Sequence, residues 1–336
     1  MVNGYRAMGI TRKQLSLILR AAAGLLLLGL LIAWIGVDSF KDTLTTFHPL
    51  YYGAALLLLG LHFLFQSLIL RTLLVGKGVL VRARHIFRLT LISNFFGIFL
   101  PGGIGPDMVL CYNVVRSTEK KEVAFSAIIF SRISVLFLMA LTAFGVSFHP
   151  LAARAEIQGL TGLVVLAFLA YWFVMANRNT LALARRLLDF LNRHRLTSVL
   201  YKVYFALSDY GRDRRSVLQI APFLIGSALI KIVTDYVIAL SLGFDIPLLY
   251  FFIFIPLITI ISAVPLTFAG LGVREGSFVG LFALAGVPAE QAITISLVSF
   301  TLVIVIAAIG AVLYVLHGAT LVTKAPDAAS RSSALH

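Results

Sequence analysis

The stretch Phe99-Leu-Pro-Gly-Gly-Ile-Gly-Pro-Asp107 sets five glycine and proline residues and a carboxylate inside an otherwise apolar region. A regular helix does not run through it comfortably, because proline removes a backbone donor and glycine favours other conformations. A second stretch, Val264-Pro-Leu-Thr-Phe-Ala-Gly-Leu-Gly-Val-Arg-Glu275, repeats the order: an apolar residue and Pro, a small pair containing Gly, an aliphatic residue, Gly, then an acid. Each lies between hydrophobic segments short for a full membrane span. Paired Gly/Pro-interrupted segments in corresponding halves point to a binding site in membrane transporters.

Working outward, the 336 residues are 60% hydrophobic and only 12% charged, with mean hydropathy +0.98. Soluble domains carry about 25% charge, so the composition is that of an integral membrane protein. The apolar runs do not alternate with period two, which excludes a β-barrel. Spans of roughly 20 apolar residues are expected at Leu15 to Val37, Leu50 to Val75, Val123 to Phe148, Ile157 to Ala176, Val217 to Leu242 and Ala292 to Leu316. Two hydrophobic hairpins are expected around the Gly/Pro stretches, at Thr90 to Val115 and Leu248 to Gly286. Arg6, Arg12, Lys13 and Arg20 precede or enter the first span, which lacks a small-x-small cleavage pattern and reads as an uncleaved anchor.

The net charge of +14 comes from Lys and Arg beside hydrophobic spans, where positive-inside bias and anionic lipids account for it without nucleic acid. Arg71 to Arg88, Arg116 to Lys121 and Asn177 to Ser216 are basic and expected on the cytoplasmic side. Asp38 to Pro49, His149 to Glu156, Gly243 to Pro247 and Val287 to Glu290 are expected outside. The first hairpin then enters and leaves from the cytoplasm and the second from outside. The expected fold is therefore an all-α polytopic membrane protein with about six spanning helices and two re-entrant hairpins in an inverted repeat. Residues 1–14 are expected in the cytoplasm. A single transmembrane domain follows over 15–320, with halves at 15–148 and 157–316 and a basic cytoplasmic linker at 177–216. Within that linker, residues 184 to 207 fit an interfacial amphipathic helix or a packed linker helix. Residues 321–336 fit a disordered tail.

Irregular backbone at membrane depth must be buried in protein or line a wet cavity. Pro101, Gly102, Gly103 and Gly105, with Pro265, Gly270 and Gly272, are therefore candidates to shape a binding site, and Asn94 is a candidate to satisfy backbone beside it. Charges at membrane depth should face the same place, since each costs at least about 2.5 to 3.5 kcal/mol at the centre of a lipid-facing helix. They are Asp107, Arg132, Lys231, Asp235, Arg274 and Glu275. Lys231 and Asp235, four apart, also fit a structural intrahelical pair, and Asp107 and Glu275 also fit helix N-terminal capping after a Gly turn. Arg132 and Arg274 are the best groups for a phosphate or carboxylate, which guanidinium binds bidentately. His62 and Gln66 fit interhelical hydrogen bonding. The lone Cys111 cannot form an intrachain disulfide, and no metal, cofactor or catalytic motif is found in the sequence.

Over residues 15 to 320 the chain resembles the lysylphosphatidylglycerol synthase transmembrane-region family, also called flippase-like membrane proteins. The resemblance is carried by Pro265, Gly270 to Glu275 and Gly286-Val287, and in the first half by Asn94, Leu100-Pro101, Gly103 and Asp107. It departs where the family commonly has Gly-Asp and an Arg three residues later, since Pro106 precedes Asp107 and Leu110 takes the Arg position; this departure moves more of the expected charged recognition to the second stretch. The soluble aminoacyl-transferase domain of bifunctional members does not follow in this sequence. The resemblance thus implies lipid translocation without synthesis, in a bacterial cytoplasmic (inner) membrane, and the flanking charge, Lys324 included, puts both termini inside. The resemblance leaves the head group open, and the expected partners are membrane lipids with anionic head groups and a separate lipid-modifying enzyme. A small-anion transporter or channel, and a membrane-embedded transferase or scaffold, remain as other readings. On the charge-derived topology, a cysteine at Ala289 should be labelled from outside and one at Gly78 from inside by an impermeant reagent. Labelling of both from one side would break the inverted arrangement.

Overall fold

The computed structural model describes residues 48–98, 100, 105–116, 118, 120–150, 155–176, 209–211, 213–263 and 272–317. Within these the chain is all helical. The elements are α1 (Pro49–Gly76), α2 (Ala83–Gly97), α3 (Gly105–Arg116), α4 (Lys121–Val146), α5 (Ala155–Ala176), α6 (Arg214–Ser241), α7 (Leu248–Ala263), α8 (Val273–Ala283) and α9 (Ala289–His317). Helices α1, α4, α6 and α9 are long and apolar enough to cross a membrane, and Ala155–Ala170 and Leu248–Ala263 are shorter apolar stretches. This is a polytopic membrane protein. The expected spans from Leu50 onward fall on α1, α4, α5, α6 and α9 within a few residues. The first span at Leu15 to Val37, the segment between 184 and 207 and both termini lie outside the described residues.

Helices α1 and α6, each of 28 residues, cross antiparallel. At one end the His48 amide donates to Ser241 O at 2.7 Å. At the other, Lys77 Nζ reaches Asp209 at 2.5 Å and Asp213 at 3.9 Å, and Lys120 Nζ donates to the Lys77 carbonyl at 3.0 Å. Three segments of the predicted cytoplasmic side therefore meet at one end of the bundle. There Asp213 caps α6, and hydrogen bonds from the Ser216 hydroxyl and amide hold its carboxyl below the usual carboxylate range. Burial pushes the neighbouring Tyr210 phenol up.

Helices α2 and α3 form the first hairpin. At about 22 and 18 Å by the helical rise, neither matches a hydrocarbon core of about 30 Å. The hairpin is closed by backbone contact: a Cβ on Gly97 would lie 2.5 Å from Pro106, and one on Gly105 would lie 2.5 Å from Gly97 O. Helix α2 begins at Ala83, earlier than the expected Thr90, because Arg84, His85 and Arg88 belong to the helix; long basic side chains reach back to the interface from a helix end. Helices α7 and α8 form the second hairpin, closed by Phe251 and Phe254 against Phe282 at 5.1 and 5.2 Å. Pro222 and Pro256 sit inside α6 and α7, as neighbouring helices in a membrane bundle permit.

Replacing α1, α2, α3 and α4 by α6, α7, α8 and α9 maps the packing of these helices onto itself. Helix α2 rests on α9 as α7 rests on α4, α3 on α4 as α8 on α9, α1 on α2 as α6 on α7, and α1 on α4 as α6 on α9. Two buried apolar clusters follow this division, one around α7, α8 and α9 and one around α2, α3 and α4. Both include parts of α1 and α6. The outward side chains of α5, such as Leu163, Leu166 and Phe173, are exposed, as lipid contact requires.

Between membrane helices, close approach replaces the hydrophobic effect as the source of packing energy. Gly310 of α9 shows this most sharply, since a Cβ there would stand 2.1 Å from Leu91 O of α2. Gly310→Ala should destabilise the folded protein by about 1–3 kcal/mol, the usual cost of overpacking, read as a lowered Tm in detergent. Gly280→Ala, with nothing within 4 Å of the added methyl, should leave Tm unchanged or slightly raised. Equal effects would disprove the close α2–α9 contact. For the labelling experiment above, Gly78 has φ +75°, which a cysteine adopts with strain; Leu80, 89% exposed on the same loop, is the better inside probe.

Candidate functional site

The six charges expected at membrane depth form three ion pairs. Asp107, in the first turn of α3, faces Arg132 of α4, with Oδ2 and Nε 3.1 Å apart. Lys231 and Asp235 pair across one turn of α6. Arg274 Nη2 lies 2.5 Å from Glu275 Oε1 on α8.

The pairs differ in how completely they are closed. Gly272 adopts φ +87° and caps α8, and its amide donates to Glu275 Oε2 at 2.6 Å. This is half of a capping box, since Gly272 has no side chain to return the bond. Glu275 Oε1 accepts from Arg274 and from Ser296 Oγ at 3.2 Å, and the side chain is fully buried. Arg274 also donates to Ser296 at 3.0 Å and lies over the Phe300 ring at 5.0 Å. Asp235, 1% exposed, accepts from Lys231 and from Ser299 at 2.9 Å. Ser296 and Ser299, three apart on α9, thus serve both pairs of the second half.

The Asp107–Arg132 pair is open. Although close, Oδ2 and Nε are not aligned as a hydrogen bond, and neither atom has a hydrogen-bond partner among the described residues. Each side chain keeps about a quarter of its surface exposed, at 28% and 27%. Both line a small, open cavity with Gln66, Thr90, Leu110 and Ser131. The cavity lies beside the acid of the first stretch, whereas the sequence reading gave more weight to the second.

The cavity reaches the α1–α6 crossing through Gln66. Gln66 Nε2 lies 2.9 Å from His62 Nε2, and His62 Nδ1 lies 2.9 Å from Ser227 O. With its hydrogen on Nδ1 the ring donates to Ser227 and accepts from Gln66, so His62 takes the expected interhelical role while Gln66 bonds within its own helix. His62 also lies within electrostatic reach of both Lys231 and Arg132.

Of the other candidates, Asn94 is buried and its amide donates to Thr90 O one turn back at 2.9 Å. Gly105 opens α3 against Gly97. Pro101, Gly102, Gly103, Pro265 and Gly270 lie outside the described residues. Sequence reasoning did not single out Thr90, Ser131, Ser296 or Ser299. The three-residue spacing of Ser296 and Ser299 in an apolar helix was the available signal for those two; hydroxyls are common in membrane helices, so Thr90 and Ser131 gave none.

A family model described as the lysylphosphatidylglycerol synthase TM region matches residues 18–316. The chain belongs to this family. Comparison with curated proteins and with solved structures found no match. Membership associates this membrane protein with lipid-related processes. Leu110, which takes the position where the resemblance implied an arginine, lines the cavity. The guanidinium facing Asp107 comes instead from α4, while Arg116 donates to Tyr112 Oη at 2.8 Å.

Removing one member of a buried pair leaves the other charge uncompensated at a cost of about 3–5 kcal/mol, whereas apolar replacement of both is often neutral. Lys231→Met should therefore destabilise the protein by about 3 kcal/mol, and Lys231→Met with Asp235→Leu should recover most of it in unfolding measurements in detergent. Additive losses would show that Asp235 does not depend on Lys231.

Proposed function

We propose that this protein is a lipid translocase, which carries the head group of a phospholipid or isoprenoid-linked lipid between leaflets while the acyl or prenyl chain stays in the bilayer. The observation that carries the reading is the polar cavity at Asp107 and Arg132 inside a bundle of apolar helices, at the first turn of α3. A head group crossing hydrocarbon needs such a site, because burying an unpaired phosphate in low dielectric is prohibitive. Arg132 supplies the guanidinium, and Gln66, Thr90 and Ser131 supply neutral hydrogen-bonding groups.

The two short hairpins, read as re-entrant from opposite membrane faces, support an inverted repeat in which one half rocks against the other about a central site. The packing exchange between α1–α4 and α6–α9 agrees with that arrangement. His62 and Ser227 occupy the same position in the two 28-residue helices, so their contact marks the axis. In this reading the protein sits in a bacterial cytoplasmic membrane with both termini inside, and it moves lipid without modifying it. A separate lipid-modifying enzyme is a fitting partner.

The test is leaflet exchange of acyl-labelled lipids in proteoliposomes, read by quenching the outer-leaflet label. The protein should accelerate exchange, and Arg132→Ala and Arg274→Ala should slow it by about tenfold or more, the scale of a lost charge-assisted hydrogen bond. Exchange at the protein-free rate across a broad lipid panel would end the proposal. Ion flux without lipid movement would replace it with an anion transporter, and a new lipid product would replace it with an enzyme. Full exchange by both variants would remove the two arginines from the mechanism.

A further inference from the structure

Resting on the translocase reading, we infer that the Asp107–Arg132 cavity selects a net-neutral, zwitterionic head group, with a phosphodiester on Arg132 and a primary ammonium on Asp107. The first ground is charge balance. Asp107 with Arg132, Lys231 with Asp235, and Arg274 with Glu275 each sum to zero. Nothing in this set leaves a surplus positive charge for a plain anion. A head group with only a phosphate must draw Arg132 away from Asp107 and strand a carboxylate in low dielectric, where an unpaired charge is most costly.

The second ground is the geometry of the pair. Asp107 Oδ2 and Arg132 Nε are buried, 3.1 Å apart and without hydrogen-bond partners among the described residues. Lys231–Asp235 and Arg274–Glu275 have their carboxylates satisfied by Ser299, Ser296 and Gly272. The cavity pair is thus the one of the three whose carboxylate and cation both hold a buried atom without a hydrogen bond among the described residues, and its two members call for opposite partners. Guanidinium takes phosphate oxygens through charge-assisted hydrogen bonds, and a carboxylate accepts from an ammonium in the same way. A ligand bearing both groups replaces one internal pair by two external ones and leaves the site neutral. Gln66 keeps a second amide N–H, beyond the one on His62, for an ester oxygen, whereas the Thr90 and Ser131 hydroxyls already donate to Ile86 O and Ile128 O. An anionic head group, expected from the sequence, finds no such balance here.

The experiment compares acyl-labelled phosphatidylethanolamine and phosphatidylglycerol of identical chains in phosphatidylcholine proteoliposomes. Phosphatidylethanolamine should exchange roughly tenfold faster, the scale of one added charge-assisted hydrogen bond. Asp107→Asn leaves Arg132 unbalanced and should shift the ratio toward phosphatidylglycerol. Arg132→Gln should lower both rates but raise the ratio further toward phosphatidylethanolamine. Two substitutions that merely damaged the fold would lower both rates without moving the ratio in opposite directions. Equal rates, or faster phosphatidylglycerol, would overturn the selectivity and leave lipid translocation standing. Uptake of soluble glycerophosphoethanolamine without leaflet exchange would assign the cavity to a free zwitterion and overturn the lipid assignment. Movement of neither lipid nor soluble compound would end both proposals.

Discussion

Hydrocarbon cannot solvate a charge, and this constraint organises the interior of the protein. Each of the six deep ionic side chains has an opposite partner, and several of the contacts join helices. Asp107 and Arg132 tie α3 to α4, Glu275 and Arg274 tie α8 to α9 through Ser296, and Asp235 ties α6 to α9 through Ser299. The returning arm of each hairpin is thereby fastened to the long helix that follows it. Close backbone contact completes the assembly, at Gly97 against Pro106 and at Gly310 against Leu91.

The fastening has a different character in the two halves. At α8 the glutamate combines a capping bond, an ion pair and a serine bond and is closed to solvent. Such a group orients Arg274 and the start of its helix. At α3 the aspartate also sits in the first turn, where the helix dipole favours a carboxylate, but its ion pair is misaligned and faces a cavity. The capping reading thus fits Glu275 closely, and the ligand reading fits Asp107 better.

Hydropathy made the long helices legible, because a span must be apolar on every side. Leu50 to Val75 was expected and Pro49–Gly76 is found, and Val123 to Phe148 corresponds to Lys121–Val146. The Lys231–Asp235 pair was equally legible, since four-residue spacing on a helix is a local geometry. The partnership of Asp107 with Arg132 was not. It joins side chains 25 residues apart on two different helices, and no local spacing in the sequence pairs positions on separate helices. The same lack of a local signal hid Ser131. Composition could count deep charges and require partners, but only tertiary packing assigned them.

The correspondence between α1 and α6 shows why the cavity belongs to one half. Aligned end to end, His62 falls opposite Ser227, Gln66 opposite Lys231 and Leu70 opposite Asp235. The second half places a cation and a carboxylate where the first has an amide and an apolar side chain, and these two pair with each other across one turn. Gln66 and Leu70 instead line open volume beside Asp107 and Arg132. A shared backbone plan with unlike chemistry gives one half a polar brace bonded through Ser296 and Ser299 and the other a polar opening. On the proposed translocase reading, a head group would meet a charged wall held by serine bonds on one side and a pair free to exchange partners on the other.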